Sequence, residues 1–172
     1  MGYTTTFSGS IAAVPALTAE ETAYLRKFNE TRRMDRVKGP YFVGGSGFHG
    51  QGSDGDIRDH NTPAEGQPGL WCQWVPTEDG SAIVWDGGEK FYDSAEWMTY
   101  LIEHFIGSDP KAKSELPFLQ GHTLNGEIIA QGESFDDRWR LVVTNNVVET
   151  RPIELTGKII ECPNCEHKWE AA

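Results

Sequence analysis

Basic side chains are scarce in this sequence: 15 Lys and Arg stand against 26 Asp and Glu, a formal net charge of -11. A duplex-binding surface needs clustered cations to neutralise phosphates, so nucleic acid is not an expected partner. Long apolar runs are also missing, and the longest falls far short of the roughly 20 residues that cross a bilayer, so no membrane association is expected. Cysteine is limited to Cys72, Cys162 and Cys165. That odd number, with no basic and apolar leader in Met1-Gly2-Tyr3-Thr4-Thr5-Thr6-Phe7, argues against a disulfide scaffold and for a reducing cytoplasm. Catalytic signatures are lacking too: there is no G-x-S-x-G elbow and no H-E-x-x-H. Nothing in the chain compels an enzyme.

What remains is globular. The chain has 172 residues, 38% of them hydrophobic, with six Trp, and a chain of that length buries about 70% of its unfolded surface in one domain. Tyr3 to Val14 alternates loosely as a first strand ahead of Pro15. Thr18 with Glu21 three residues later forms a capping box, and Tyr24, Leu25 and Phe28 give the helix behind it an apolar stripe reaching about Arg33. Gly39 to Gly69 reads as a long irregular segment containing a strand at Tyr41 to Val43, and loops of that length are usually functional. Trp71 to Val75 and Ala82 to Trp85 suit a β-hairpin around Asp79-Gly80. Asp93, with Glu96, is expected to cap a second helix carrying Trp97, Leu101, Ile102 and Phe105, closed by Gly107 and Pro110. Thr123 to Gln131, Trp139 to Val143 and Val147 to Thr150 are strands, the last two turned by Asn145-Asn146.

This order predicts an α+β fold, an antiparallel sheet with two helices on one face. A ferredoxin-like arrangement is one order it allows. Residues 1–155 form the expected domain, and 156–172 a cysteine-bearing tail.

Three constellations could carry chemistry. In the tail, Cys162-Pro163-Asn164-Cys165 resembles one knuckle of a zinc ribbon, with His167 close by. One knuckle is half a site, and the missing ligands would come from Cys72, a His, or the same tail of a second subunit, which would make the protein a homo-oligomer. The alternative is a solvated tail without zinc. Asp54, Asp56 and Asp59 offer oxygen ligands on a Gly-rich loop but lack the Glu that closes an EF-hand, so a solvated acidic loop is the simpler reading. Lastly, Arg32, Arg33 and Arg36 precede the Gly44 to Gly52 loop, and Trp71, Trp74, Lys90 and Tyr92 follow it. Guanidinium forks and stacking faces could converge there on a small anionic ligand. Against this stands the ordinary alternative, aromatics in the core and cations at a helix end.

Gly2-Tyr3-Thr4-Thr5, Glu30-Thr31-Arg32-Arg33-Met34, Gly66-Gln67-Pro68-Gly69-Leu70-Trp71-Cys72-Gln73-Trp74-Val75-Pro76, Trp85 to Tyr92 and Leu124-Asn125-Gly126-Glu127 resemble a family of uncharacterised bacteriophage and bacterial proteins. The likeness runs to about Val148 and excludes the cysteine tail. It implies no activity, and so no catalytic residue. It does imply a small accessory protein in a host cytoplasm, where binding in counter-defence is the expected mode. The leading expectation is a non-catalytic module that sequesters a nucleotide-like anion. The rivals are an acidic, DNA-mimic-like inhibitor of a host protein and a nucleotide-processing enzyme.

Overall fold

The computed structural model describes residues 2–154, 159–161 and 168–170. Its frame is a six-stranded sheet of order β4-β5-β1-β6-β7-β8. The strands are β1 Thr6–Val14, β4 Trp74–Pro76, β5 Ala82–Trp85, β6 Thr123–Gln131, β7 Arg138–Thr144 and β8 Val147–Pro152. Every neighbouring pair is antiparallel. The fold is therefore α+β on an antiparallel sheet, and its strand order differs from a ferredoxin-like one, since no split βαβ unit brings two parallel strands together. A separate ladder pairs β2 Met34–Arg36 with β3 Ile57–Pro63. Ile159–Glu161 (β9) and Lys168–Glu170 (β10) pair antiparallel, while Cys162, Cys165 and His167 lie outside the described residues. No helix among the described residues is long and apolar enough to cross a membrane.

One sheet face is covered. Phe7, Ile11 and Ala13 of β1, Leu124, Ile128 and Ala130 of β6, and Leu141 and Val143 of β7 are buried, as period-two alternation requires, and their neighbours face outward. Helices α1, Ala19–Glu30, and α2, Ser94–Leu101, contribute Tyr24, Leu25, Phe28, Trp97, Met98 and Leu101 to the same core. Helix α2 lies against both edge strands, β4 and β8, so the sheet curls around it. Gly9 and Gly126 permit the curl: both have positive φ, and a Cβ on either would stand 2.5 Å from a carbonyl oxygen of the adjoining strand.

The local signals explain the elements. Thr18 and Glu21 form the capping box. The helix stops at Glu30 rather than near Arg33 because the Thr31 hydroxyl donates to Lys27 O at 2.7 Å and accepts from Gly44 N–H at 2.9 Å, pinning an extended Thr31. Asp93 does not cap α2 as expected: it sits in the left-handed region (φ 54°) with no capping bond from its side chain. The strand expected at Tyr41 to Val43 is also not formed. Phe42 N–H closes a turn onto Gly39 O, and Tyr41 and Val43 pack against the core. Pairing falls to Ile57–Pro63 instead. Asn145 and Asn146 both have positive φ, matching the two-residue hairpin turn.

Candidate functional site

The basic cluster turns inward. Arg33 is 3% exposed, donates to Thr31 O at 2.9 Å and Phe42 O at 2.7 Å, and lies 4.1 Å from the Phe28 ring centroid. Burial pulls it down to about 10, which leaves it charged at neutral pH. Arg36 is 2% exposed, bonds both Asp56 oxygens at 3.1 Å, pairs with Asp54 at 3.5 Å and donates to Gly50 O. Trp74 is also buried, its indole N–H donating to Ser94 O at 2.7 Å. These three expected site residues hold the fold together. Arg32 differs: it bonds Gln51 and Asn61 and lies 5.9 Å from the Trp71 ring.

The glycine-rich loop is occupied with itself. Gly44 N–H donates to Thr31, Gly50 N–H to Gly47 O, Gly52 N–H to Ser46 O, and Ser46 N–H to Asp54. Those amides are not open to a phosphate. The acidic loop is similarly engaged. Asp54 and Asp56 serve Arg36, while Asp59 accepts from Asn61 N–H and Thr62, which hold its carboxyl below the usual range. Among the described residues no group of three or more His, Cys, Asp or Glu could hold a metal. Cys72 lies in the core, its thiol pushed up to about 12 by burial.

What the fold does bring together is Trp71, Lys90 and Tyr92. They line a cavity of about 220 Å³ with Leu70, Asp93 and Trp97. Trp71 is 37% and Tyr92 55% exposed, whereas Trp74, Trp97, Tyr24 and Tyr100 are buried in the core. Arg33 anchors the wall, its N–H donating to Leu70 O at 2.9 Å. Lys90 adopts a left-handed φ of 58° at the rim.

Beyond Asp93 the same wall, Gly66-Gln67-Pro68, borders a second cleft of about 720 Å³ along α2. Here α2 widens into a π turn, Ile102–Ile106, a distortion frequent at functional sites. His104 stacks on Tyr100 with centroids 4.0 Å apart and interplanar angle 15°. Burial first, and Lys111 second, hold His104 below its ordinary value, so the ring is neutral at neutral pH. Tyr41, raised by burial, keeps its proton, and its Oη shares a 2.7 Å hydrogen bond with His104 Nδ1. Sequence reasoning missed this cleft. Its signal was the polar stripe Asp93, Glu96, Tyr100, Glu103 at helical spacing on an otherwise apolar helix.

Comparison of the chain with protein-family models, with curated proteins and with solved structures finds no match.

Proposed function

We propose that the protein is a non-catalytic binding module for a small, ring-bearing anion of nucleotide type, seated at Trp71, Lys90 and Tyr92. The observation that carries this reading is the pairing of two half-exposed aromatic faces with two cations, Lys90 at the rim and Arg32 beside Trp71. Stacking on such faces contributes about 1–3 kcal/mol per base and tolerates any ring. The cavity is smaller than the roughly 300–1,000 Å³ that encloses a drug-sized molecule. It therefore takes the ring alone and leaves the anionic group at the surface, within reach of the cations. In a bacteriophage setting such a module would sequester a nucleotide-like signal in the host cytoplasm.

Titration of Trp fluorescence with adenosine 5′-monophosphate and a panel of other nucleotides tests the proposal. Saturable quenching is expected, weakened at least about tenfold in Trp71→Ala and in Lys90→Ala, the loss of one stacked ring or one charge-assisted bond. Both side chains are at the surface, so the urea midpoint should hold. Affinity unchanged in both variants would sink the proposal.

A further inference from the structure

A carboxylate lines the ring cavity, where the phosphate of a nucleotide has no use for one. Asp93 stands there beside Lys90 and Tyr92, exposed and in the left-handed region. It makes no cap on α2, and no ion pair or side-chain hydrogen bond engages it among the described residues. Both of its oxygens are free to accept.

A second, independent observation comes from the cavity wall. Trp97 lines the cavity and is only 1% exposed. Its indole N–H has no acceptor among the described residues, in contrast to Trp74, which donates to Ser94 O, and Trp85, which donates to Gln73. The enclosed polar atoms without a partner are Arg32 Nε, Arg33 Nη1, Arg36 Nε and Gln67 Oε1. Trp97 Nε1 is not one of them, so the little surface that Trp97 keeps includes this nitrogen. A buried indole N–H normally finds a partner, and an acceptor arriving here recovers the free energy that an unpaired donor costs. Gly69 brings the two groups together: a Cβ there would stand 3.6 Å from Trp97 Nε1 and 3.9 Å from Asp93 Oδ2. A donor and a free carboxylate thus face one spot in the cavity, left open because residue 69 has no side chain.

We infer that this pair reads the edge of the base, and that the nucleotide taken by the ring site proposed above, on which the inference rests, is a guanine nucleotide. An ionised carboxylate only accepts, through two oxygens. Guanine offers it two adjacent donors, N1–H and the 2-amino group, and carries O6 beside them, where the Trp97 N–H donates. Adenine and cytosine present one amino group next to a ring acceptor on that edge, which sets a lone pair against the second Asp93 oxygen. Uracil flanks its single N–H with two carbonyls that repel a carboxylate. Stacking on Trp71 and Tyr92 holds any base, whereas edge hydrogen bonds choose among them. The phosphate then points away from Asp93, toward Lys90.

Isothermal calorimetry on the full chain with the 5′-monophosphates of guanosine, inosine, adenosine and xanthosine tests the inference. The guanosine nucleotide should bind at least about tenfold more tightly than the adenosine one, with inosine, which lacks the 2-amino group, between them. Asp93→Asn keeps a residue tolerant of the left-handed conformation and exchanges one acceptor for a donor. It should weaken guanosine binding about tenfold and strengthen xanthosine binding, whose C2 carbonyl accepts from the new amide. Trp97→Phe removes the other contact and should cost about fivefold. Because that change alters the core, Gly69→Ala accompanies it: the added Cβ makes ordinary contacts at a φ outside the left-handed region, yet fills the spot between the pair. Guanosine binding should be lost in Gly69→Ala with the urea midpoint unchanged. Glu96→Gln, on the α2 cleft, should leave the affinity as it is. Equal binding of all four bases, or a guanosine preference intact in Asp93→Asn, overturns the inference and leaves the ring site standing if Trp71→Ala still weakens binding. If no nucleotide binds, the ring site and the inference fall together.

Discussion

Glu21 is the side chain whose removal should cost the domain most for its size. It is fully buried, and its two oxygens accept from four donors: Gln120 N–H at 2.6 Å, Thr18 N–H and Thr18 Oγ at 2.8 Å, and His122 Nε2 at 3.0 Å. His122 in turn lies 2.8 Å from Pro15 O through Nδ1 and accepts on its own carbonyl from Asn146 at 2.9 Å. One carboxylate thus ties the start of α1 to the segment entering β6 and to the β7–β8 turn. Glu21→Ala removes the acceptor of three part-buried hydrogen bonds and breaks the buried pair with His122, a loss of about 3–5 kcal/mol. With a urea slope of about 2 kcal/mol/M the unfolding midpoint should fall by roughly 2 M, read by Trp fluorescence. The pH dependence adds a second check. Burial raises this carboxyl, but the hydrogen bonds outweigh it and hold the group below its ordinary 4.5. A depressed carboxyl contributes stability that is complete above its unfolded value and is lost as pH falls through the folded one. The gap between the native chain and Glu21→Gln should therefore be widest above about pH 4.5 and narrow below it. A midpoint shift in Glu21→Ala under about 0.5 M, or a gap that widens in acid, would refute this account of the network.

The glycines make a paired prediction. Gly9→Ala and Gly126→Ala each place a Cβ 2.5 Å from a backbone oxygen at positive φ and should lose about 2–4 kcal/mol in urea melts. Gly55→Ala, with nothing within 4 Å, should stay within about 0.5 kcal/mol. Cys72, with its thiol near 12, should resist iodoacetamide at pH 8 in the folded chain and alkylate readily in denaturant, as mapped by peptide mass spectrometry. Rapid native labelling there would contradict its place in the core.

Legibility in the sequence followed the range of the forces. The Thr18 to Glu21 box and the Asn145-Asn146 turn are local devices, and both form where their residues stand. Strand β6 carries Leu124, Ile128 and Ala130 on one face and occupies Thr123–Gln131 as read. Strand β3 was invisible because Ile57 to Pro63 is mostly polar and exposed, so its pairing with β2 leaves no apolar alternation. The arginines misled for a related reason. A run of Arg32, Arg33 and Arg36 looks like a ligand grip until its partners, Phe42 O, Gly50 O, Asp54 and Asp56, arrive from 9 to 20 residues away. Gln67 could not have been found at all, since Tyr100 is 33 positions distant. The zinc-knuckle expectation rests on residues outside those described.

The inward turn of those arginines also decides where charge of each sign is available. Arg36 is neutralised by Asp54 and Asp56, but Arg33 has no carboxylate in contact among the described residues. Two things lower the cost of its buried charge: the carbonyl ends exposed where α1 stops, and the face of Phe28 at 4.1 Å. Two cations are thereby turned inward, together with Asp54 and Asp56 beside Arg36. Lys90 and Arg32 stand beside Trp71, where Asp93 also lines the cavity, while Glu96 and Glu103 line the cleft along α2.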